Sequence, residues 1–165
     1  MGPALSPFAE HHAEEFAAAA RRSRSLHGQW VSPPTEASAA AGLASRRQGP
    51  ADYGFIVHEC ESTRIAGYIE ITNIVRGPLQ SGYLGYYMFK GYEGKGFMKW
   101  ALATIIKRAW EVHKLHRLEA NIQPGNVASI GLVKALGFQQ EGYSPRYLKL
   151  RGRWRDHERW AILAR

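Results

Sequence analysis

The sequence predicts a single domain of the α/β (α+β) class, a mixed central sheet of about six to seven strands flanked by about four helices. Three observations lead there. Apolar residues recur at three- and four-residue intervals up to residue 47, change to strand-like patterning at Tyr53, and then interleave so that the whole order reads ααβββαβαββ. The chain has 165 residues, 45% of them apolar, which is near the size of one domain and enough for one core. Finally, an aromatic and aliphatic run over residues 83–89 meets a turn carrying Gly91, Gly94 and Gly96, and a periodic apolar segment starts at Phe97. That is a strand passing through a glycine turn into a helix.

Ser6 followed by Pro7 reads as a helix start, and Ala9, Ala13, Phe16, Ala17 and Ala20 continue it to about Arg24. Gly28 and Pro33-Pro34 make residues 26–34 a loop, in which Trp30 requires a pocket or a partner. Thr35 caps an alanine-rich helix to about Arg47, closed by Gly49 and Pro50. Residues 53–59 and 65–74 are expected to pair as a hairpin, and Gly77, Pro78 and Gly82 lead into the strand before the glycine turn. The next helix spans residues 95–113, with Phe97, Ala101 and Ile105 as its buried ridge and Met98, Leu102, Ala109 and Val112 beside it. A strand at 118–123 is broken by Pro124 and Gly125, Asn126 caps a helix to Leu136, and Gly137 stops it. Residues 138–142, 146–151 and 154–164 read as closing strands, with Arg151-Gly152 as a hairpin turn.

Formal charge is +8, from 22 Lys and Arg against 14 Asp and Glu, so the field favours polyanionic partners such as a phosphorylated cofactor, RNA or an acidic peptide. The excess gathers late, at Arg146, Lys149, Arg151, Arg153, Arg155, Arg159 and Arg165, where a solvated basic hairpin competes with a binding face. No apolar run approaches the roughly 18 residues of a membrane span, and residues 1–20 lack a basic start followed by an apolar stretch. The single cysteine, Cys60, excludes an internal disulfide framework, and no Cys or His cluster has structural-zinc spacing. A cytoplasmic protein with no metal and no membrane contact is expected.

The glycine turn fits a phosphate cradle: glycines let a ligand approach the backbone, and the N–H groups and dipole of the following helix favour an anion. An ordinary tight turn competes with that reading. Position 97 is Phe where a Walker A loop needs Lys, and position 99 is Lys where a dinucleotide fingerprint needs Gly, so neither motif is present.

Gly94-Lys-Gly-Phe-Met98, Asn126-Val-Ala-Ser129 at the start of the next helix, and Gly137-Phe-Gln-Gln-Glu-Gly142 at its end together resemble the GNAT family of acetyl-CoA-dependent N-acetyltransferases. Ile74-Val-Arg-Gly77, Leu84-Gly-Tyr86, His116-Arg117, Leu136-Gly-Phe138, Glu141-Gly-Tyr143 and above all Gly152-Arg-Trp-Arg-Asp-His157 resemble its RimJ/RimL branch, which acetylates ribosomal-protein N-termini. The resemblance covers residues 21–163.

That resemblance implies a coenzyme A pyrophosphate on the amides of Gly94, Lys95, Gly96, Phe97 and Met98. It implies a pantetheine arm laid along the backbone of Tyr87, Met88 and Phe89 as an added strand, with the Met88 amide stabilising the thioester oxyanion. Asn126 holds the arm from the far side and Ser129 meets the leaving sulfur, although a plain N-cap and first-turn hydrogen bonding explain the same residues. Trp30 and Tyr86 border the acceptor, Tyr86 competing with a role as core or channel wall.

The expected reaction is direct attack of a primary amine in a ternary complex, most simply the N-terminal α-amine of a ribosomal protein. Such an amine has a pKa of about 7.7–8.0 against about 10.4 for lysine, so a weak base suffices. Glu70 and Glu119 are candidate bases, each competing with a solvated or ion-paired role, and water is a third. The alternatives are a small-amine acetyltransferase acting on a polyamine, antibiotic or amino acid, and a non-catalytic RNA- or ribosome-binding module contacting RNA through the basic final hairpin. A monomer or homodimer suits either. Two departures from the family stand out. Gly91 occupies a position usually held by Gln or Arg, with Glu93 close behind, and the family's first strand is missing or very short, so that the sheet has lost an edge or the chain begins late.

Overall fold

The computed structural model describes residues 2–165; Met1, the first residue of the segment expected to be too short for a strand, lies outside them. The first strand is present. It is β1, Pro3–Pro7, five residues at the edge of the sheet, antiparallel to β2, Tyr53–Glu59, with Leu5 opposite Val57. Ser6-Pro7 is therefore the end of a strand and not the start of a helix. A strand with prolines at both ends is tolerated because β1 has a neighbour on one side only.

A short 3-10 turn at Glu10–His12 leads into α1, Ala13–Arg22, then α2, Arg24–His27, and α3, Ala37–Ser45. The one continuous first helix expected from alanine spacing breaks at Ser23, whose hydroxyl turns back to donate to the Ala19 carbonyl at 2.7 Å. Next come β3, Ile65–Val75; β4, Ser81–Met88; α4, Phe97–Glu111; β5, Arg117–Ile122; α5, Val127–Ala135; β6, Gln139–Leu150; and β7, Arg153–Leu163. The segments read as two closing strands are one strand, β6, whose register slips between Ser144 and Leu148, where Arg146 has φ 47°. Arg151 and Gly152, at φ 49° and 76°, make the expected hairpin turn.

The seven strands lie in the order β1-β2-β3-β4-β5-β7-β6. Strand alternation sorts the core to two faces. Ile56, Tyr68 and Phe89 pack with Phe8, Phe16 and Leu43 under α1 and α3, while Val57, Ile69, Ile71 and Leu84 pack against Leu102 and Ile105 of α4. The predicted ridge Phe97, Ala101 and Ile105 is buried, but Val112 is 57% exposed because α4 ends one residue earlier.

One feature of the sheet positions everything that follows. The parallel strands β4 and β5 pair only where Ser81–Tyr83 faces Arg117–Glu119. Beyond Tyr83 they part, and β4 runs on with β3 alone beside it.

Candidate functional site

The divergence of β4 and β5 opens a cavity of about 560 Å³, walled by β4, the glycine turn, the start of α5 and the loop after α2. In an antiparallel ladder, alternate residues direct both backbone groups to the neighbouring strand. Phe89 N–H donates to the Ala66 carbonyl at 2.8 Å, so Phe89 and, two residues back, Tyr87 turn their backbones toward β3. Met88 and Tyr86 turn theirs toward the gap, where β5 no longer reaches. Of the Tyr87, Met88 and Phe89 backbones, that of Met88 turns to the gap, while those of Tyr87 and Phe89 turn to β3. The Tyr86 backbone, not anticipated for this purpose, joins it, and the alternation itself was the signal that could have found it.

Gly91, Gly94 and Gly96 have φ of 99°, 70° and 77°, a left-handed conformation that suits glycine. A Cβ at any of the three would stand in open space, so the turn presents bare backbone. Gly96 is the N-cap of α4 and makes no side-chain cap, which leaves the first N–H groups of a 15-residue helix directed at the turn. One anion is already close by. The Glu93 carboxylate accepts from Gly91 N–H at 2.6 Å and is held below the ordinary carboxylate range by its own N–H and those of Gly91 and Tyr92. Gly94, Gly96, Phe97 and Met98 line the cavity, and the Lys95 Nζ lies 5.3 Å from the ring centre of Tyr92, another lining residue.

Asn126 caps α5, its Oδ1 accepting from Ser129 N–H at 3.3 Å. That cap fixes the first turn so that Ser129 Oγ meets Tyr86 Oη at 2.7 Å across the cavity. Burial pushes the Tyr86 phenol up to about 12, the serine contact opposing it. Trp30 also lines the cavity and packs over Gly125, where an added Cβ would meet the indole at 3.2 Å.

Glu70 does not line this cavity. Its Oε2 accepts from Arg47 Nε at 3.0 Å and from Tyr68 Oη at 2.8 Å, on the face covered by α1 and α3. Glu119 accepts from Arg117 Nε at 2.8 Å, and the same guanidinium forks onto Glu141 at 3.0 and 2.5 Å. His27, to which no sequence motif points, is 4% exposed, lines the cavity and has Nε2 at 2.7 Å from the Met88 carbonyl. A lone histidine before a glycine gives no signal of a partner 61 residues away.

A splayed pair of parallel strands with a glycine turn opening a helix beside the gap is the architecture of an acyltransferase of the GNAT class, and the acetyltransferase (GNAT) domain model matches residues 4–139. The chain belongs to that family. Among curated relatives, the [ribosomal protein uS5]-alanine N-acetyltransferase of Escherichia coli K12 is 39% identical over 111 residues, 67% of this chain and 57% of the relative, so the chain spans little more than half of that protein's length. Among solved structures, a ribosomal-protein-S5-alanine acetyltransferase from Vibrio fischeri superposes with a TM-score of 0.89 at 25% identity, covering 99% of this chain and 93% of the other. The RimJ of Mycobacterium smegmatis in complex with CoA-disulfide gives 0.87 at 26%, covering 98% and 82%.

Proposed function

We propose that this chain is an acetyl-CoA-dependent N-acetyltransferase whose acceptor is the α-amine of a protein N-terminus, a ribosomal protein being the expected one. The observation that carries the reading is the Met88 backbone turned into a gap whose opposite wall presents Ser129 Oγ. Its family membership and the names of its relatives support the same reaction and acceptor.

Coenzyme A fits the residues present. The bare turn at Gly94, Lys95 and Gly96 and the first amides of α4 at Phe97 and Met98 would hold its phosphates, and the gap-facing backbones of Tyr86 and Met88, with Asn126 on the far side, would hold its arm. Bound there, acetyl-CoA supplies the acetyl group as a thioester. The Met88 N–H would donate to the carbonyl oxygen as it gains charge, and the Ser129 hydroxyl would donate a hydrogen bond to the sulfur as it departs as a thiolate. As the amine nitrogen bonds to the acyl carbon the carbon–sulfur bond would break, with coenzyme A leaving as its thiolate and the proton lost by the amine passing to water. No carboxylate is required, because an α-amine is substantially neutral near pH 8.

The acceptor wall argues against a polyamine. It is built from Leu26, His27, Trp30, Val31 and Tyr86, and Glu93, the one carboxylate among the described residues that line the cavity, sits on the turn and accepts from Gly91 N–H. An apolar, aromatic wall suits a small uncharged first residue and offers a polycation no counter-charge. On the β6–β7 hairpin, exposed Lys149 and Trp154 are cross-strand partners next to Arg153, a basic face with a stacking surface for RNA at the ribosome.

The test is thiol release from acetyl-CoA with peptides beginning Ala or Ser, with spermidine, and with no acceptor, the products weighed by mass spectrometry. Acetyl on the peptide α-amine is the expected result. Acetyl on spermidine alone would replace the acceptor, and no transfer to any amine would overturn the enzyme reading.

A further inference from the structure

Where β5 leaves β4, two polar side chains of the α1–α2 junction take over part of its hydrogen-bonding role. Ser23 and His27 stand one helical turn apart, His27 N–H donating to the Ser23 carbonyl at 2.9 Å. Ser23 Oγ accepts from Lys90 N–H at 2.8 Å, and His27 Nε2 lies 2.7 Å from the Met88 carbonyl. Met88 ends β4 and Lys90 lies in the turn just beyond it, so the two contacts hold the strand's exit from both ends. Both side chains are buried, at 0% and 4% exposure, and the His27 ring packs edge-on against Tyr87 and Phe89 at 5.3 and 5.6 Å.

A carbonyl can only accept, so His27 Nε2 carries the proton, and Nδ1 is left as an acceptor, buried and without a partner. Burial first, and the nearby Arg151 charge, hold the ring below its ordinary titration range, against the pull of the Met88 carbonyl; Tyr87 faces it from β4. The ring stays neutral with its donor fixed. The Met88–Phe89 peptide is then clamped from both sides, by Ala66 accepting from its N–H and by His27 donating to its carbonyl.

We propose that His27 is a positioning residue for acyl transfer, one whose Nε2–H locks the Met88–Phe89 peptide so that the adjacent Met88 N–H points at the reacting carbonyl. It does so from the segment that also carries Leu26 and Trp30, tying the acceptor wall to the cofactor strand. The inference rests on the proposed acetyl transfer. It accounts for a buried histidine that has no place among the reacting groups.

Two variants separate positioning from packing. His27→Leu keeps apolar bulk against Tyr87 and Phe89 but donates nothing, whereas His27→Gln carries an amide N–H able to reach the same carbonyl. With thermal stability and acetyl-CoA affinity measured alongside, His27→Leu is expected to lower kcat roughly 10- to 100-fold while Kd for acetyl-CoA changes little. His27→Gln is expected to restore most of the lost kcat. A folded His27→Leu with wild-type kcat, or a folded His27→Gln as slow as the leucine variant, overturns the inference while leaving acetyl transfer intact. A wild-type protein that binds acetyl-CoA yet transfers to no amine overturns the functional reading and the inference with it.

Discussion

Tyr86 Oη lies 2.7 Å from Ser129 Oγ, joining the free edge of β4 to the first turn of α5 across the cavity. The direction of that hydrogen bond matters. A phenol near 12 keeps its proton against a thiolate whose own conjugate acid lies near 8.5, and an aliphatic hydroxyl holds its proton more tightly still, so this pair would stabilise a departing thiolate by hydrogen bonding and give it no proton. Either hydroxyl can be the donor in that contact; with Tyr86 donating, the serine proton would be free to point at a sulfur held in the cavity.

Ser129→Ala is therefore expected to lower kcat by roughly 100-fold with little change in acetyl-CoA affinity, the loss of a positioned hydrogen-bond donor. Tyr86→Phe should cost roughly tenfold, about 1.4 kcal/mol of transition-state stabilisation. Because the two act as a unit, the double variant should be no slower than Ser129→Ala. Steady-state kinetics beside calorimetric binding checks all three, and additive losses would mean that the hydroxyls act separately.

Gly96→Val tests the turn. At φ 77° any β-branched residue is strained, and its side chain would project into space now open to a ligand. Acetyl-CoA Kd should rise at least about tenfold, a binding loss near 1.4 kcal/mol. Since no neighbour is struck, far-UV circular dichroism should be unchanged. Unaltered affinity in a folded variant would remove the turn from the cofactor site.

The strand, turn and helix around Gly94 and Gly96 were legible because local composition decides them: positive φ selects glycine, and period-two and period-3.6 apolar patterns fix the flanking elements. The cap at Asn126 and the hairpin at Arg151-Gly152 were legible for the same reason. β1 was not, because Ser6-Pro7 has the composition of a helix start and only pairing with β2 makes it a strand. The splay of β4 from β5 and the role of His27 were invisible for a further reason. Both depend on how segments distant in sequence are placed, β4 against β5 and the His27 side chain against the Met88 carbonyl, which no local pattern encodes.

Glu70 offers a contrast in which the expected change is stability and not rate. Its Oε2 is shared by Arg47 and Tyr68, with the Arg47 and Glu70 side chains only 19% and 26% exposed. Glu70→Gln keeps the shape and removes the charge, leaving the Arg47 guanidinium without its counter-ion. A loss of about 1–3 kcal/mol in chemical denaturation is expected, with kcat within a few-fold of wild type. A collapse of kcat in a stable Glu70→Gln protein would restore this residue as the base.

Stability should also depend on pH through His27 and His113, both buried and both held below the ordinary histidine range. For His113 the cause is burial first, then the charges of Arg108 and Arg76; its ring lies against Tyr53 with centroids 4.2 Å apart, and Nε2 has no partner. In the folded state these rings resist protonation, so as pH falls below about 6.5 the unfolded chain takes up protons first. The unfolded state then binds more protons than the native one, and stability rises with pH across that window. The neutral-histidine contribution is complete above about 6.5 and is lost progressively as pH falls toward the lowered native values, each unit of lowering being worth about 1.4 kcal/mol. Melting temperatures at pH 7.5, 6.5 and 5.5 should fall in that order. His113→Phe, which keeps the aromatic contact with Tyr53 and removes the titrating group, should flatten the dependence. A wild-type melting temperature that is constant from pH 7.5 to 5.5 would mean that these rings are not held neutral by the fold.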